Sequence, residues 1–302
     1  MRLEGRDRGR NAGSACGIGK CCQDGGATTL GHMPTYLDEI VAACQQRLEE
    51  TRARIPLDKV QGAAQARHER RDFAGALSNR GLHIIAELKK ASPSRGLLRP
   101  DYRGRELAQG YEAAGAAALS VLTEPQFFQG SLTDLIDARD AVGLPVLRKD
   151  FILDNYQVYE SAAARADALL LIVAAVPDKV LPELVELCGR LQVAALVEVH
   201  TEEEVSRAVS AGASIIGVNN RDLETFEVTL ETSLRLRDRI PSNCLAVSES
   251  GIRTVYDLLR LHKAGYDAVL IGEHLMTAED PGRELAVMIE GYKEAACQRA
   301  RS

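Results

Sequence analysis

Several short apolar runs in this chain end in side chains that can move protons. Glu87 and Lys89 follow one run and Lys149 another; Glu198, then Asn219 with Arg221, then Glu249 close three more. One such case has a plain structural explanation, because a strand turns polar where it leaves the core. Two lysines and three glutamates repeating the pattern point further. If the runs are parallel neighbours their ends share one face, where so many charges are costly to desolvate unless paired or used. Lysine and glutamate in close pairs suit acid–base chemistry, since burial and neighbouring charge move either pKa toward neutrality. Histidine adds nothing to this set. His83 falls mid-strand and His200 points away if Glu198 points inward, so both are read as structural.

A second chemistry is suggested by Glu249-Ser250-Gly251 and Gly272-Glu273. Glycine there lets the backbone approach a ligand, and N–H groups opening a short helix at His274-Leu275-Met276 would cradle an anion. The combination is an acid–base site beside a phosphate anchor.

The elements that position these residues follow from periodicity. Apolar runs too short for helices alternate with amphipathic stretches at intervals of roughly 20–35 residues. The strand candidates are Leu82–Glu87, Ala117–Leu122, Val146–Lys149, Ala168–Val173, Ala194–Val199, Ile215–Asn219, Leu245–Glu249 and Ala268–Gly272. Ala114-Gly115-Ala116, Ala211-Gly212-Ala213 and Ala264-Gly265-Tyr266 recur before strands, as glycine-capped helix ends would; Arg165-Ala166-Asp167 holds the same place without glycine. Thr201-x-x-Glu204 and Ser131-x-x-Asp134 resemble capping boxes, and Asp280-Pro281 a helix start. Before the repeat, Leu37, Ile40, Val41, Cys44 and Leu48 mark one face of a helix, and a second helical stretch follows Pro56 as far as the Asn79-Arg80-Gly81 turn. Eight near-continuous apolar strands alternating with helices imply a covered parallel sheet. A doubly wound open sheet would carry a Gly-rich turn after its first strand, which is missing. The expected fold is an α/β (β/α)8 TIM barrel over residues 33–302, with N-terminal helices within 35–80.

Bulk properties agree. The 302 residues suit one barrel of about 250 residues plus additions. A formal net charge of −6 argues against nucleic acid as partner, while leaving room for a local positive pocket. No apolar run reaches the roughly 18–20 residues of a membrane span. Seven scattered cysteines point to the cytoplasm; Cys188 and Cys244 read as small buried hydrophobes, and Cys16, Cys21 and Cys22 lack partners for a zinc site. Residues 1–32 are polar, glycine- and arginine-rich, and are read as a disordered leader or cloning-derived segment, with Met33 as an alternative start. Gly17-Ile18-Gly19-Lys20 is only a fragment of a phosphate loop.

Ile85-Ala86-Glu87-Leu88-Lys89-Lys90-Ala91-Ser92-Pro93-Ser94-Arg95-Gly96 resembles the signature of the indole-3-glycerol-phosphate synthase family. Leu147–Phe151, Leu196–Val199, Gly217–Leu223 and Ser248–Ile252 resemble further blocks of that family in order, as do Leu122-Thr123-Glu124 and Phe128-Gln129-Gly130-Ser131. The resemblance spans residues 34 to 295. It implies a carboxy-lyase of tryptophan biosynthesis acting on 1-(2-carboxyphenylamino)-1-deoxyribulose 5-phosphate, with no metal and no organic cofactor. It further implies Lys149 as general acid, Glu198 as acid–base partner in dehydration, Lys89 as second catalytic lysine and Glu87 as the group orienting a lysine. By the same resemblance Asn219, Arg221, Glu249 and Ser92 position substrate, and Leu122, Phe128 and Leu170 wall its aromatic ring. Ser250, Gly251, Gly272 and Glu273 match phosphate positions. The loop through Ser94-Arg95-Gly96 would be a lid.

Two positions depart from other members. Glu273 stands where some carry a small residue, so only its backbone N–H is expected to serve, and a basic residue found in some is Ala91 here. The alternatives are a phosphoribosylanthranilate isomerase-like barrel, which would need a cysteine where Glu87 stands, and a non-catalytic sugar-phosphate-binding barrel, against which Lys89, Lys149 and Glu198 together argue. A monomer is the default expectation, with weak association with other tryptophan-pathway enzymes left open.

Overall fold

The computed structural model describes residues 35–222 and 225–299. The expectations for the leader 1–32 and for Leu223 lie outside the described residues. Three helices come first, α1 (Tyr36–Arg54), α2 (Leu57–Gln65) and α3 (Phe73–Leu77). Then follow β1 (His83–Leu88), the short pair β2 (Ala91–Ser92) and β3 (Gly96–Leu97), α4 (Gly104–Ala114), β4 (Ala118–Leu122) and α5 (Leu132–Ala141). The middle of the chain holds β5 (Val146–Lys149), α6 (Asn155–Ala163), β6 (Ala168–Ile172), α7 (Val180–Leu191), β7 (Ala194–Val199) and α8 (Glu202–Ser210). The last part holds β8 (Ile215–Asn219), α9 (Glu231–Leu236), β9 (Leu245–Glu249), α10 (Val255–Ala264), β10 (Ala268–Ile271), α11 (Glu273–Met276) and α12 (Pro281–Arg299).

Strands β1 and β4 to β10 close on themselves as a barrel in the order β1-β10-β9-β8-β7-β6-β5-β4. Every pairing in it is parallel. All eight expected strands form, with ends moved by a residue in β1, β4, β6 and β10.

Alternation along each strand divides the apolar residues into two cores. Ile85, Ala118, Leu147, Ala168, Leu170, Leu196, Ile215, Val247, Ala268 and Leu270 fill the barrel, while Ile84, Ala86, Leu119, Val121, Val197, Ile216 and Val269 pack against the outer helices. Since side chains two apart share a face, the residues that continue the inward series beyond this filling are Glu87, Lys149, Glu198, Asn219 and Glu249. The register sets them side by side: Leu122 pairs with Lys149, Ile172 with Glu198 and Asn219 with Glu249. Parallel strands put all of these ends on one face.

The stretch after Pro56 is two helices instead of one. Its last part, α3, sends Phe73 and Leu77 into the interior core. At that lower end Asp167, just before β6, accepts hydrogen bonds from Arg67, Arg139 and the Arg71 backbone N–H, at 2.5, 3.2 and 3.1 Å. Arg165, in the helix end that lacks glycine, takes a left-handed φ of 67°. Cys188 and Cys244 are buried, as expected.

Candidate active site

A cavity opens at the C-terminal ends of the strands. Glu87, Lys89, Lys149, Glu198, Asn219 and Glu249 line its floor, and every other residue expected from sequence also faces it: Ser92, Leu122, Phe128, Leu170, Arg221, Ser250, Gly251, Gly272 and Glu273.

Lys149 is the centre of the floor. Its Nζ lies 3.0 Å from Glu198 Oε2 and 3.1 Å from Glu249 Oε2, and both carboxylates are buried. Burial alone would lower the Lys149 pKa, but Glu198, Glu249 and Glu87 outweigh it and hold the ammonium well above its ordinary range. Lys89 is paired separately, with Nζ 2.9 Å from Glu87 Oε1. The floor therefore contains two lysine–carboxylate units.

The two partners of Lys149 are unlike. Glu198 Oε1 accepts a hydrogen bond from Asn219 Nδ2 at 3.2 Å, and Asn219 in turn accepts one from the Arg221 backbone N–H at 3.0 Å. Burial favours the neutral acid, yet Lys149, His200 and these hydrogen bonds hold the Glu198 carboxyl below the usual range. Glu249, expected to position substrate, lines the cavity and stands against Lys149, its one hydrogen-bond partner among the described residues. Burial pushes its pKa up to about 7, with Lys149 only partly opposing and Glu198 reinforcing. Glycine makes the room for Glu249 and for Glu87. A Cβ on Gly217 would fall 2.2 Å from Glu249 Oε1, and one on Gly272 2.1 Å from Glu87 Oε1. Gly272 thus has a packing reason besides any approach to an anion.

The rim differs from expectation at three places. The Glu273 carboxylate faces the cavity, bound to Arg221 Nη2 at 3.1 Å and to Arg95 Nε at 3.3 Å. Its charge is matched by two guanidinium groups, which removes the reason for it to turn away from a phosphate. Arg95 sits in the tight turn joining β2 and β3, a hairpin too short to leave a strand signal; Ser92 Oγ beside it is buried without a partner. His200 does not point away from Glu198: its Nε2 lies 3.7 Å from Glu198 Oε1 and its Nδ1 3.4 Å from Glu204 Oε2. It follows the last residue of β7, where strand alternation no longer dictates direction.

The N-terminal helix contributes residues that sequence reading passed over. Tyr36, Leu37 and Ile40 line the cavity, and Tyr36 packs edge-on against Phe127 and Phe226, with ring centres 5.6 and 5.3 Å apart. Arg47 bridges Glu124 at 2.9 Å and Asp150 at 3.3 Å. Glu124 also accepts from the backbone N–H groups of Gln126, Phe127 and Phe128, fixing the loop that carries Phe128. Arg47 follows Ile40 by seven residues and Cys44 by three, the spacing of a buried helix face, so its signal was present. Among the described residues no group of three or more histidine, cysteine, aspartate or glutamate side chains could hold a metal ion.

A family model described as indole-3-glycerol phosphate synthase matches residues 37–288. The chain is similar to the indole-3-glycerol phosphate synthase of a Polaromonas species, 47% identical over 258 residues covering 84% of this chain and 98% of that one. It is 48% identical to that of Chloroherpeton thalassium, over 81% of this chain and 96% of the relative. Among solved structures, a mandelate oxidase mutant matches with a TM-score of 0.55 at 18% identity, covering 79% of this chain and 83% of the other, a likeness of fold alone.

Proposed function

The chain belongs to the indole-3-glycerol phosphate synthase family, and from that premise we propose how its side chains divide the reaction. The substrate is 1-(2-carboxyphenylamino)-1-deoxyribulose 5-phosphate. Its ring carbon bearing the carboxylate attacks the ketone carbon, carbon dioxide leaves, and loss of the resulting hydroxyl as water completes the indole. The enzyme is accordingly a carboxy-lyase.

The observation that carries this reading is the pair of lysine–carboxylate units on one floor, Lys149 with Glu198 at 3.0 Å and Lys89 with Glu87 at 2.9 Å. Ring closure needs a proton delivered to the ketone oxygen, and Lys149, kept charged by its carboxylates, is the acid. Dehydration needs a base to take the proton whose loss restores aromaticity, and a second acid for the departing hydroxyl. Glu198 is the base, because it is the carboxylate kept ionised. Its contact with Lys149 lets it return that proton to the lysine, so the second acid is Lys89, oriented by Glu87. Such acid and base groups typically contribute about 10²–10⁴-fold each.

Binding supplies the attack geometry. Leu122, Phe128 and Leu170 hold the aromatic ring, while the backbone at Ser250-Gly251 and Gly272-Glu273 takes the phosphate at the opposite rim. Ser92, with its free buried hydroxyl, and Arg221 add hydrogen bonds. The buried thiols of Cys44, Cys188 and Cys244 suit a reducing cytoplasm. A substrate labelled with ¹³C in its carboxylate tests the assignment: one labelled carbon dioxide should be released per indole formed. Indole without label release, or binding without indole, would contradict it.

A further inference from the structure

We propose that His200, held by Glu204, is a positioning residue that makes Glu198 the ionised base of this site and leaves Glu249 as the carboxyl that carries a proton. The inference rests on the reading of Glu198 as base. Glu198 and Glu249 flank one ammonium at nearly equal distances, 3.0 and 3.1 Å, and both are buried. Two buried carboxylates sharing one cation do not both ionise at low cost, so some further contact has to choose between them.

That contact is on the far side of Glu198. Its Oε1 receives Asn219 Nδ2 and faces His200 Nε2 at 3.7 Å. Glu249 has no such second contact, since among the described residues its ion-pair and hydrogen-bond partner is Lys149 alone. His200 is outside the set of residues lining the cavity, so it acts through Glu198 and not on substrate.

The ring is held in place to do this. Glu204 lies in the first turn of α8, where Thr201 caps its N–H at 3.2 Å. Its carboxylate does not close a capping box on Thr201; it reaches one residue further back and accepts the His200 backbone N–H at 2.6 Å. This brings Glu204 Oε2 within 3.4 Å of His200 Nδ1. Both ring nitrogens are buried, with the Glu204 carboxylate beside Nδ1 and the Glu198 carboxylate beside Nε2. A neutral imidazole has one N–H and would turn its bare nitrogen toward the other carboxylate, whereas an imidazolium between two carboxylates is matched on each side. The charged groups facing it are Glu198 from β7, Glu204 from α8 and Glu249 from β9, all acidic. Burial would lower the His200 pKa, but these carboxylates raise it above the ordinary value.

The test is the pH dependence of kcat in the full chain for His200→Gln, Glu204→Gln and Glu198→Gln, each checked for folding by thermal melting. Loss of a cation about 4 Å from Glu198 should move the acid limb of His200→Gln up by about one pH unit, a loss of about tenfold at the acid end relative to pH 8.5. Glu204→Gln, an isosteric change at a partly exposed site, should move the limb the same way by less, and it carries the test if His200→Gln does not fold. A loss equal at every pH would mark His200 as merely structural and overturn the proposal. So would an unmoved acid limb in folded variants while Glu198→Gln is inactive. Near-normal turnover by Glu198→Gln would instead remove the base assignment itself.

Discussion

Lys149 is an ammonium in a buried place, charged because the acidic groups around it, Glu198 above all, outweigh the cost of its burial. An acid so held is always loaded, but the arrangement strains its neighbours, and the strain falls on Glu249. The folded-state pKa of Glu249, about 7, lies above its ordinary 4.5. A raised value means that its stabilising contribution is complete below the unfolded pKa, near 4.5, and is lost as pH rises through 7. The interval corresponds to about 3 kcal/mol as an upper figure. Glu249→Gln cannot ionise, so its melting temperature relative to wild type should improve steadily from pH 5 to pH 8. A difference that is flat across that range, in calorimetry at several pH values, would mean that Glu249 does not hold the proton. Activity is expected to fall in the same variant above about pH 7, where the wild-type Glu249 is ionised and helps to keep Lys149 charged.

At the scale of elements, α1 works as part of the site. Ile40 and Cys44 pack in the interior core, and Arg47 on the same face pins Glu124 and Asp150, which are 0% and 2% exposed. Glu124 ties down the loop bearing Phe128, and Asp150 directly follows Lys149. Removing one partner of a buried ion pair is costly because the other charge stays behind. Arg148 still pairs Asp150 at 2.9 Å and backbone N–H groups still hold Glu124, so Arg47→Ala should lose about 1–2 kcal/mol in urea unfolding. It should also raise KM more than it lowers kcat, because the Phe128 wall loosens while Lys149 keeps Glu198 and Glu249. An unchanged KM would disconnect α1 from the ring pocket. The β2–β3 hairpin is the complementary element. Its Arg95 meets Arg221 across the Glu273 carboxylate, so the first loop and the loop after β8 are joined at the rim.

For the whole molecule, the barrel was legible because parallel strands covered on both faces are continuous apolar runs. Leu147, Leu170 and Leu196 look inward and Leu119, Val197 and Ile216 outward, yet all read alike. The polar strand ends were legible for the opposite reason: Glu87, Lys149, Glu198 and Glu249 interrupt that monotony at the positions facing the cavity. What stayed hidden depended on directions that spacing does not set. His200 lies just beyond its strand, Glu273 turns inward because two arginines from distant loops meet it, and the hairpin at Ala91–Leu97 has only two residues in each strand. Among the described residues no helix is long and apolar enough to cross a membrane. The role of Lys149 is tested most directly by stopped-flow indole fluorescence, with the carboxyphenylamino substrate at saturation, comparing wild type with Lys149→Ala. Wild type should form the indole product. The variant should bind substrate and melt as a folded protein, while its kcat falls by about 10³-fold. Near-normal kcat in Lys149→Ala, or binding without indole formation in wild type, would contradict the account.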